Sequence, residues 1–531
     1  MIQRVRENKE RIWYSFCFLL LGIIDQRRGS AVGEIQMIFA NLTGIVLAMM
    51  LVPSLKLTNF NKKIYYIWTP ICSLMVLFLC ISWKRFWTYQ GQWNTAVLGV
   101  AIWSYLIIYI VIERKFLFQK IYSKASILVL LLCMVFSMNE KGSTLWCLLI
   151  FGGFFLIGIS EPKIKTFYLG MMDGIIVWFI LQQTLAFAFR PYDYVRYRGL
   201  YAGETQNGIF YVMVFCAFVA KWIWTKYESH QRKSWLYFFL IAISVDFVFL
   251  TGSRTGLLTV LVVGLIVITK YDIIENKMFY KWILHGGTMI ICIIAMLPVI
   301  YGCVRYFPTI LHHPIWFVGE YEEGKSVCSF DPWDSEKYIS FDEALNETCG
   351  RIGNVLKESK KFISRNSDKI FGRITVYAKE LTGEKGDTEE NYYLPDDISP
   401  DEDPLWSRKV IYKYYFEHLN LQGHKTSGQG FYTIWRIYYG HAHDMFLQVA
   451  YDYGILCGIL FLIIYLNNLI KALVSHYLKS VINGIFLLGI MGFGLWEMVL
   501  TPGQITVPLM WINLYLICTD NKNSYKMNKT I

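Results

Sequence analysis

The chain is poor in charge. Only 17% of its 531 residues are Asp, Glu, Lys or Arg, against 55% hydrophobic, and the mean hydropathy is +0.37. That is too little polar surface for a water-soluble protein of this size. The formal net charge of +11 does not point to nucleic acid, because there is no basic patch: lysines and arginines stand singly between apolar runs. An A-x-A-like cleavage site is also missing after the first apolar run, which follows Arg4, Arg6, Lys9 and Arg11, so that run reads as an uncleaved span and not a signal peptide. Cysteine usage implies no metal site. Of the twelve cysteines, most, including Cys72, Cys80, Cys133, Cys147, Cys216 and Cys292, lie in apolar runs where a thiol behaves as a small hydrophobe. Only Cys328 and Cys349 lie well inside a polar region, and a disulfide between them requires that region to face an oxidising exterior.

Long apolar runs are present instead. Ile64 to Trp83, Thr95 to Ile112, Phe167 to Phe189 and Trp282 to Tyr301 are examples of runs of about 15 to 24 residues, the length that crosses a hydrocarbon core of about 30 Å. Runs bounded by charge predict an all-α polytopic membrane protein with about 12 to 14 transmembrane helices. About 11 spans fall in residues 1–302, a polar stretch occupies 303–442, and about three spans with a tail occupy 443–531, one of them a continuous span over 446–470. Alternate loops carry about 25 and about nine basic residues. The positive-inside bias therefore predicts a multi-pass protein of the cell membrane with both termini cytoplasmic. By the same alternation the 190–206 loop, the turn at Gly252 to Arg254 and the 303–442 insertion lie together on the extracytoplasmic side. Within the insertion, Val410, Ile411, Tyr414 and Tyr415 fall at helical spacing over Trp406 to Leu419, and Gly383 to Pro404 reads as a mobile loop.

Three segments carry residues suited to chemistry. The first is the loop with Arg190, Arg196 and Arg198, followed by Gly199, Gly203, Glu204, Gln206, Asn207 and Gly208. Arginines on this side run against the charge bias. Guanidinium is well shaped for bidentate contact with phosphate, and the plainer reading pairs these arginines with Asp193, Glu204 or anionic lipid head groups. The second is Thr251-Gly252-Ser253-Arg254-Thr255-Gly256, a turn of small residues that begins a span with Arg254, readable as part of a site or as a snorkelling interfacial arginine. The third runs from Gly440 through His441, His443 and Asp444 to Gly458. A helix beginning near His443 would carry Gln448 and Asp452 as a polar stripe into the membrane. A histidine here suits a general base; the plainer reading is an interfacial helix cap. His441 and His443 alone supply at most two metal ligands, so no metal is expected.

In this order and setting the three segments resemble the O-antigen ligase and O-antigen polymerase superfamily of bacterial membrane proteins. Arg196-Tyr197-Arg198-Gly199 resembles the family's R-x-x-G loop, with Asn207 at the start of the next span and Gln206 where the family has Pro. Ser253-Arg254 resembles its Ser-Arg turn, and Arg408 to Leu419 followed by Gly428 and Gly430 resembles its basic helix before a glycine turn. His443, Asp444 and Gly454 reproduce its His motif, with Asp444 where Asn, Ser or Gln is usual and Cys457 in place of the later glycine.

The resemblance implies a class C glycosyltransferase-like fold and an undecaprenyl-pyrophosphate-linked oligosaccharide as donor. It further implies transfer to a glycan acceptor outside the cytoplasm, with inversion and with neither metal nor cofactor, and leaves room for a chain-length regulator as partner. Arg196, Arg198, Arg254 and Arg408 would hold the diphosphate. His443 would orient or deprotonate the acceptor hydroxyl, with His441 and Asp444 supporting it. Polymerase and ligase activities both occur in the superfamily, and polymerase is the expectation. A lipid-linked oligosaccharide flippase would also have many spans and cationic residues, but would not need a large insertion and would carry its arginines within spans.

Overall fold

The computed structural model describes residues 2–28, 34–82, 89–113, 125–138, 156–190, 192, 196–201, 203–227, 231–272, 278–311, 339–351, 353, 406–424, 442–475, 477–497, 499–500 and 503–518. Among them the regular structure is helical throughout: α1 Ile2–Arg28, α2 Glu34–Leu51, α3 Lys63–Ser82, α4 Tyr89–Ile112, α5 Ala125–Val135, α6 Ile164–Phe189, α7 Glu204–Tyr227, α8 Gln231–Leu250, α9 Arg254–Asp272, α10 Met278–Ile310, α11 Trp406–Glu417, α12 Met445–Tyr453, α13 Ile455–Val474, α14 Leu478–Gly494 and α15 Thr506–Cys518.

Six of the helical stretches are long and apolar enough to cross a membrane, and six shorter apolar stretches of 10–17 residues accompany them among the described residues. The distribution of apolar side chains matches a bundle dissolved in lipid. Ile67, Leu74 and Phe78 of α3, Ile291 and Ile294 of α10, and Leu456 and Ile463 of α13 point outward, where water would disfavour them and hydrocarbon would not. Helix α7 is the axis, with its whole apolar window buried, and it packs against α6, α8, α9 and α14. The chain is a helical membrane protein.

Close packing uses small residues. In Gly170-Met171-Met172-Asp173-Gly174 the two glycines lie one turn apart on α6, and α1 passes directly over them. A methyl group at Gly170 would fall 2.5 Å from Tyr14 Cβ, and one at Gly174 would fall 2.5 Å from Phe18 Cβ. Backbones in lipid associate through such stripes, since no hydrophobic gain drives them together. At the end of α6 remote from the arginine loop, Lys221 is buried and its Nζ contacts Asp173 Oδ1 at 2.5 Å, while Arg11 holds Asp173 Oδ2. One carboxylate thus ties α1, α6 and α7 together.

One expectation is corrected. The continuous span over 446–470 is broken at Gly454, whose φ is +97°. A side chain there would also run into the Leu421 carbonyl oxygen, because the 420–424 segment docks on the break through Ile455 N to Asn420 O (2.9 Å) and His424 N to Asp452 O (3.3 Å). The helix expected to begin near His443 is present, beginning at Met445 with Asp444 as its N-cap. Of the insertion, the structure describes 303–311, which continue α10, and 339–351, 353, 406–424 and 442. The helix expected over Trp406 to Leu419 is present as α11, with Ile411 and Tyr415 buried. Cys349 is a free, exposed thiol; Cys328, Gly383 to Pro404, Gly428 and Gly430 lie outside the described residues.

Candidate functional site

The arginine loop is fixed by its own backbone and by polar side chains rising from the bundle. Tyr192 N donates to Val304 O (2.8 Å) and Tyr197 N to Leu250 O (2.9 Å), which anchors the loop to α10 and α8. Gln26 Nε2 donates to Leu200 O (2.7 Å) and Tyr201 OH to Asp25 Oδ2 (3.0 Å), which anchors its far side to α1. Gly199 takes a φ of +56°, open to glycine at little cost. Asn207 is fully buried beneath it, donating through Nδ2 to Tyr197 O (3.4 Å) and accepting from Gln182 Nε2 (3.3 Å). Asn207 therefore holds the loop in shape. The rings of Tyr192, Tyr197 and Tyr211 stack in series below the loop, with planes within 10° of parallel.

That frame presents two guanidinium groups. Arg196 Nε donates to the carbonyl of Thr251 (2.7 Å), and its side chain lies across Gly252, which has a φ of +59°. The small-residue turn is thus the seat of Arg196. Ser253 Oγ accepts from Gly256 N (3.1 Å) and caps α9, which Arg254 begins, half-buried. Arg198 Nε pairs with Glu204 Oε1 at 2.8 Å, and the same carboxylate lies 3.9 Å from Arg196 Nη1. The expected pairing with Glu204 is present; Asp193 lies outside the described residues. Burial pulls Arg196 below its ordinary pKa; Glu204 and Glu497 oppose the fall and Arg351 adds to it. A guanidinium that stays charged while partly desolvated is one that an incoming anion would stabilise.

Across from the arginines, His443 has a φ of +52°, alone among the described non-glycine residues in being positive. Asp444 is engaged by the backbone that follows it. Its Oδ1 accepts from Phe446 N (2.9 Å) and Leu447 N (2.7 Å), the usual work of an N-cap. Burial raises the pKa of this carboxyl, and the two backbone donors work the other way. Gln448 and Asp452 form the expected polar stripe but use it internally: Ala442 N donates to Gln448 Oε1 (2.7 Å) and Gln448 Nε2 to Asp452 Oδ1 (3.0 Å). Glu497 meets the imidazole, its Oε2 3.2 Å from His443 Nδ1. Glu497 reaches this position because Glu497 N donates to Phe493 O (2.8 Å) in a turn at the end of α14, and because Gly494 lets Met445 come into direct contact. The hydroxyl of Tyr412 on α11 lies 3.4 Å from His443 O and 3.5 Å from Leu495 O, bracing both halves of the couple.

Arg196, Arg198, Arg254 and His443 thus gather at one end of the bundle. Arg408 lies in α11 by its backbone, its side chain outside the described residues, as is His441. Sequence reasoning missed Glu497 and Arg351. A signal for Glu497 was available: it is a lone carboxylate closing the apolar run Phe486 to Trp496. Among the described residues no group of three or more His, Cys, Asp or Glu side chains is arranged to hold a metal. No family model, curated protein or solved structure matches the chain.

Proposed function

We propose that the chain is an integral-membrane glycosyltransferase that joins undecaprenyl-diphosphate-linked oligosaccharide repeat units into a polysaccharide outside the cytoplasm. The observation that carries this reading is one meeting. A rigid loop presents Arg196 and Arg198, and a histidine–carboxylate couple far away in sequence, His443 with Glu497, lies within the electrostatic reach of Arg196. Two positive groups beside a general base are what transfer from a diphosphate leaving group demands.

Arg196 and Arg198 hold the diphosphate, with Arg254 and Arg408 adding charge from the neighbouring segments. The acceptor hydroxyl oxygen attacks the anomeric carbon from the face opposite the leaving group, so the centre inverts. Its proton passes to His443 Nε2. The bond from the anomeric carbon to the diphosphate oxygen breaks, the electron pair leaves with the lipid diphosphate, and the arginines neutralise the charge that grows there. Glu497 accepts a hydrogen bond from Nδ1–H of His443, which selects the tautomer whose Nε2 carries no proton and offsets the charge the ring gains. No step uses a metal or a cofactor.

The test is incubation of the purified protein with a defined lipid-diphosphate-linked repeat unit. A ladder of products is expected. A single transfer to a different acceptor would make the enzyme a ligase, and movement of the intact lipid across vesicles without any new glycosidic bond would sink the enzymatic reading. Arg254→Ala, with expression matched to the parent, is expected to lose chain lengthening; full lengthening by that variant would remove Arg254 from the site.

A further inference from the structure

Resting on the diphosphate reading of this site, we infer that Arg351 is a further diphosphate-binding arginine, delivered to the pocket by the insertion, so that seating of the helical stretch 341–351 completes the donor site. Neither the arginine loop nor the Ser253-Arg254 turn contains it.

The stretch is docked firmly. Tyr301 OH donates to Ile339 O (2.5 Å), the Tyr301 and Phe341 rings meet with centroids 5.2 Å apart, and Ala344 and Thr348 are buried. Residues 341, 344, 348 and 351 recur at helical spacing, so Arg351 continues the docking face and stands one turn beyond Thr348. The place where that face lands is specific. Thr348 Oγ1 approaches the carbonyl of Phe249 at 3.5 Å, and that same carbonyl accepts from Gly252 N at 2.9 Å. Gly252 is the residue Arg196 lies across, and the preceding Thr251 carbonyl binds Arg196 Nε. The insertion and Arg196 are therefore fastened to one turn, and Arg351 acts on Arg196 as a like charge. Like charges brought together by two separate fastenings call for an anion between them.

The carboxylates complete the pattern. Arg351 Nε rests on Glu347 Oε1 at 2.5 Å in a half-exposed pair, as Arg198 rests on Glu204. Each carboxylate occupies a guanidinium edge that a diphosphate oxygen can take over, since such pairs near water contribute little on their own. Binding of the donor would exchange Glu347 for phosphate on Arg351 and draw the helix onto the lipid.

The experiment measures binding of undecaprenyl diphosphate, undecaprenyl monophosphate and inorganic pyrophosphate to the full-length protein in lipid nanodiscs, for the parent and for Arg196→Ala, Arg351→Ala, Arg351→Lys and Glu347→Gln. Arg351→Ala is expected to weaken the lipid diphosphate by about tenfold, Arg351→Lys by less, and Glu347→Gln to strengthen it by freeing the guanidinium. The monophosphate, too short to bridge both arginines, should change less with Arg351→Ala. Unchanged binding in Arg351→Ala with a loss in Arg196→Ala would overturn the role of Arg351 and leave the diphosphate site intact. Unchanged binding in both would overturn the site itself. A loss in Glu347→Gln as large as that in Arg351→Ala would show that the pair merely holds the helix in place, and would also overturn the inference. Inorganic pyrophosphate binding as well as the lipid and responding alike to every variant would assign the pocket to a free anion.

Discussion

His443 holds a backbone conformation that few side chains adopt, and that fact shapes how it must be tested. Alanine at a positive φ adds strain to the loss of the imidazole, whereas asparagine tolerates this region, so His443→Asn isolates the chemistry. Its transfer rate should fall by about 100-fold or more with an unchanged melting temperature, measured as kcat on a lipid-linked repeat in detergent. Glu497→Gln should also lower kcat, by about 100-fold, with little change in KM, since in the proposed mechanism the carboxylate orients the base and does not bind substrate. Parent-like kcat in Glu497→Gln would remove Glu497 from the mechanism. The neighbouring Asp444 behaves differently. Its carboxyl is raised in the folded state by burial, so between its ordinary value near 4 and the raised one the native state holds the proton more tightly than the unfolded state. Stability is therefore fully retained below the ordinary value and falls as pH rises through that window. Asp444→Asn keeps the cap and removes the titration. Thermal melts across the acid range should show that decline in the parent and a flatter profile in the variant.

The helices of the bundle were largely legible as apolar runs, because lipid demands length and apolarity and both are written in composition. What periodicity could not reveal is where a run bends. Phe446 to Ile470 is apolar enough to pass as one span, yet the break at Gly454 depends on the 420–424 segment arriving from elsewhere. Glu497 was hidden for the same reason: it follows a different helix, and the turn after α14 and the contact between Gly494 and Met445 bring it to His443. Packing of α1 on α6 gives an element-level prediction. Gly174→Leu would push a side chain into Phe18 and the Ser15 carbonyl, an overpacking that costs about 1–3 kcal/mol or more and should lower the melting temperature and the yield of folded protein. Gly264→Ala on α9 meets nothing within 4 Å and replaces a poor helix former with the best one, so its melting temperature should be at least that of the parent. Equal behaviour of the two variants would show that the glycine stripe does not govern the α1–α6 contact.

At the scale of the molecule the two ends of the bundle differ. One gathers Arg196, Arg198, His443 and Glu497 under the helical stretch 341–351; the other is tied by Asp173, Lys221 and Arg11. The proposed transfer requires the first end to face the exterior and the second the cytoplasm, since a chain built in the cytoplasm would need export afterwards, and the expectation from about 25 basic residues against about nine is the same. Cys349 and Lys9 give a direct test, because both are exposed and stand at opposite ends. In a Cys328→Ser background, which removes the one cysteine expected to pair with it, Cys349 should react with a membrane-impermeant maleimide on intact cells, and the signal should vanish in Cys349→Ser. A Lys9→Cys substitution added to that double variant should react only after the membrane is opened. Reaction of Cys349 confined to opened cells, with Lys9→Cys labelled from outside, would invert the molecule in the membrane and place the arginine site in the cytoplasm, where an extracytoplasmic polymerase could not use it.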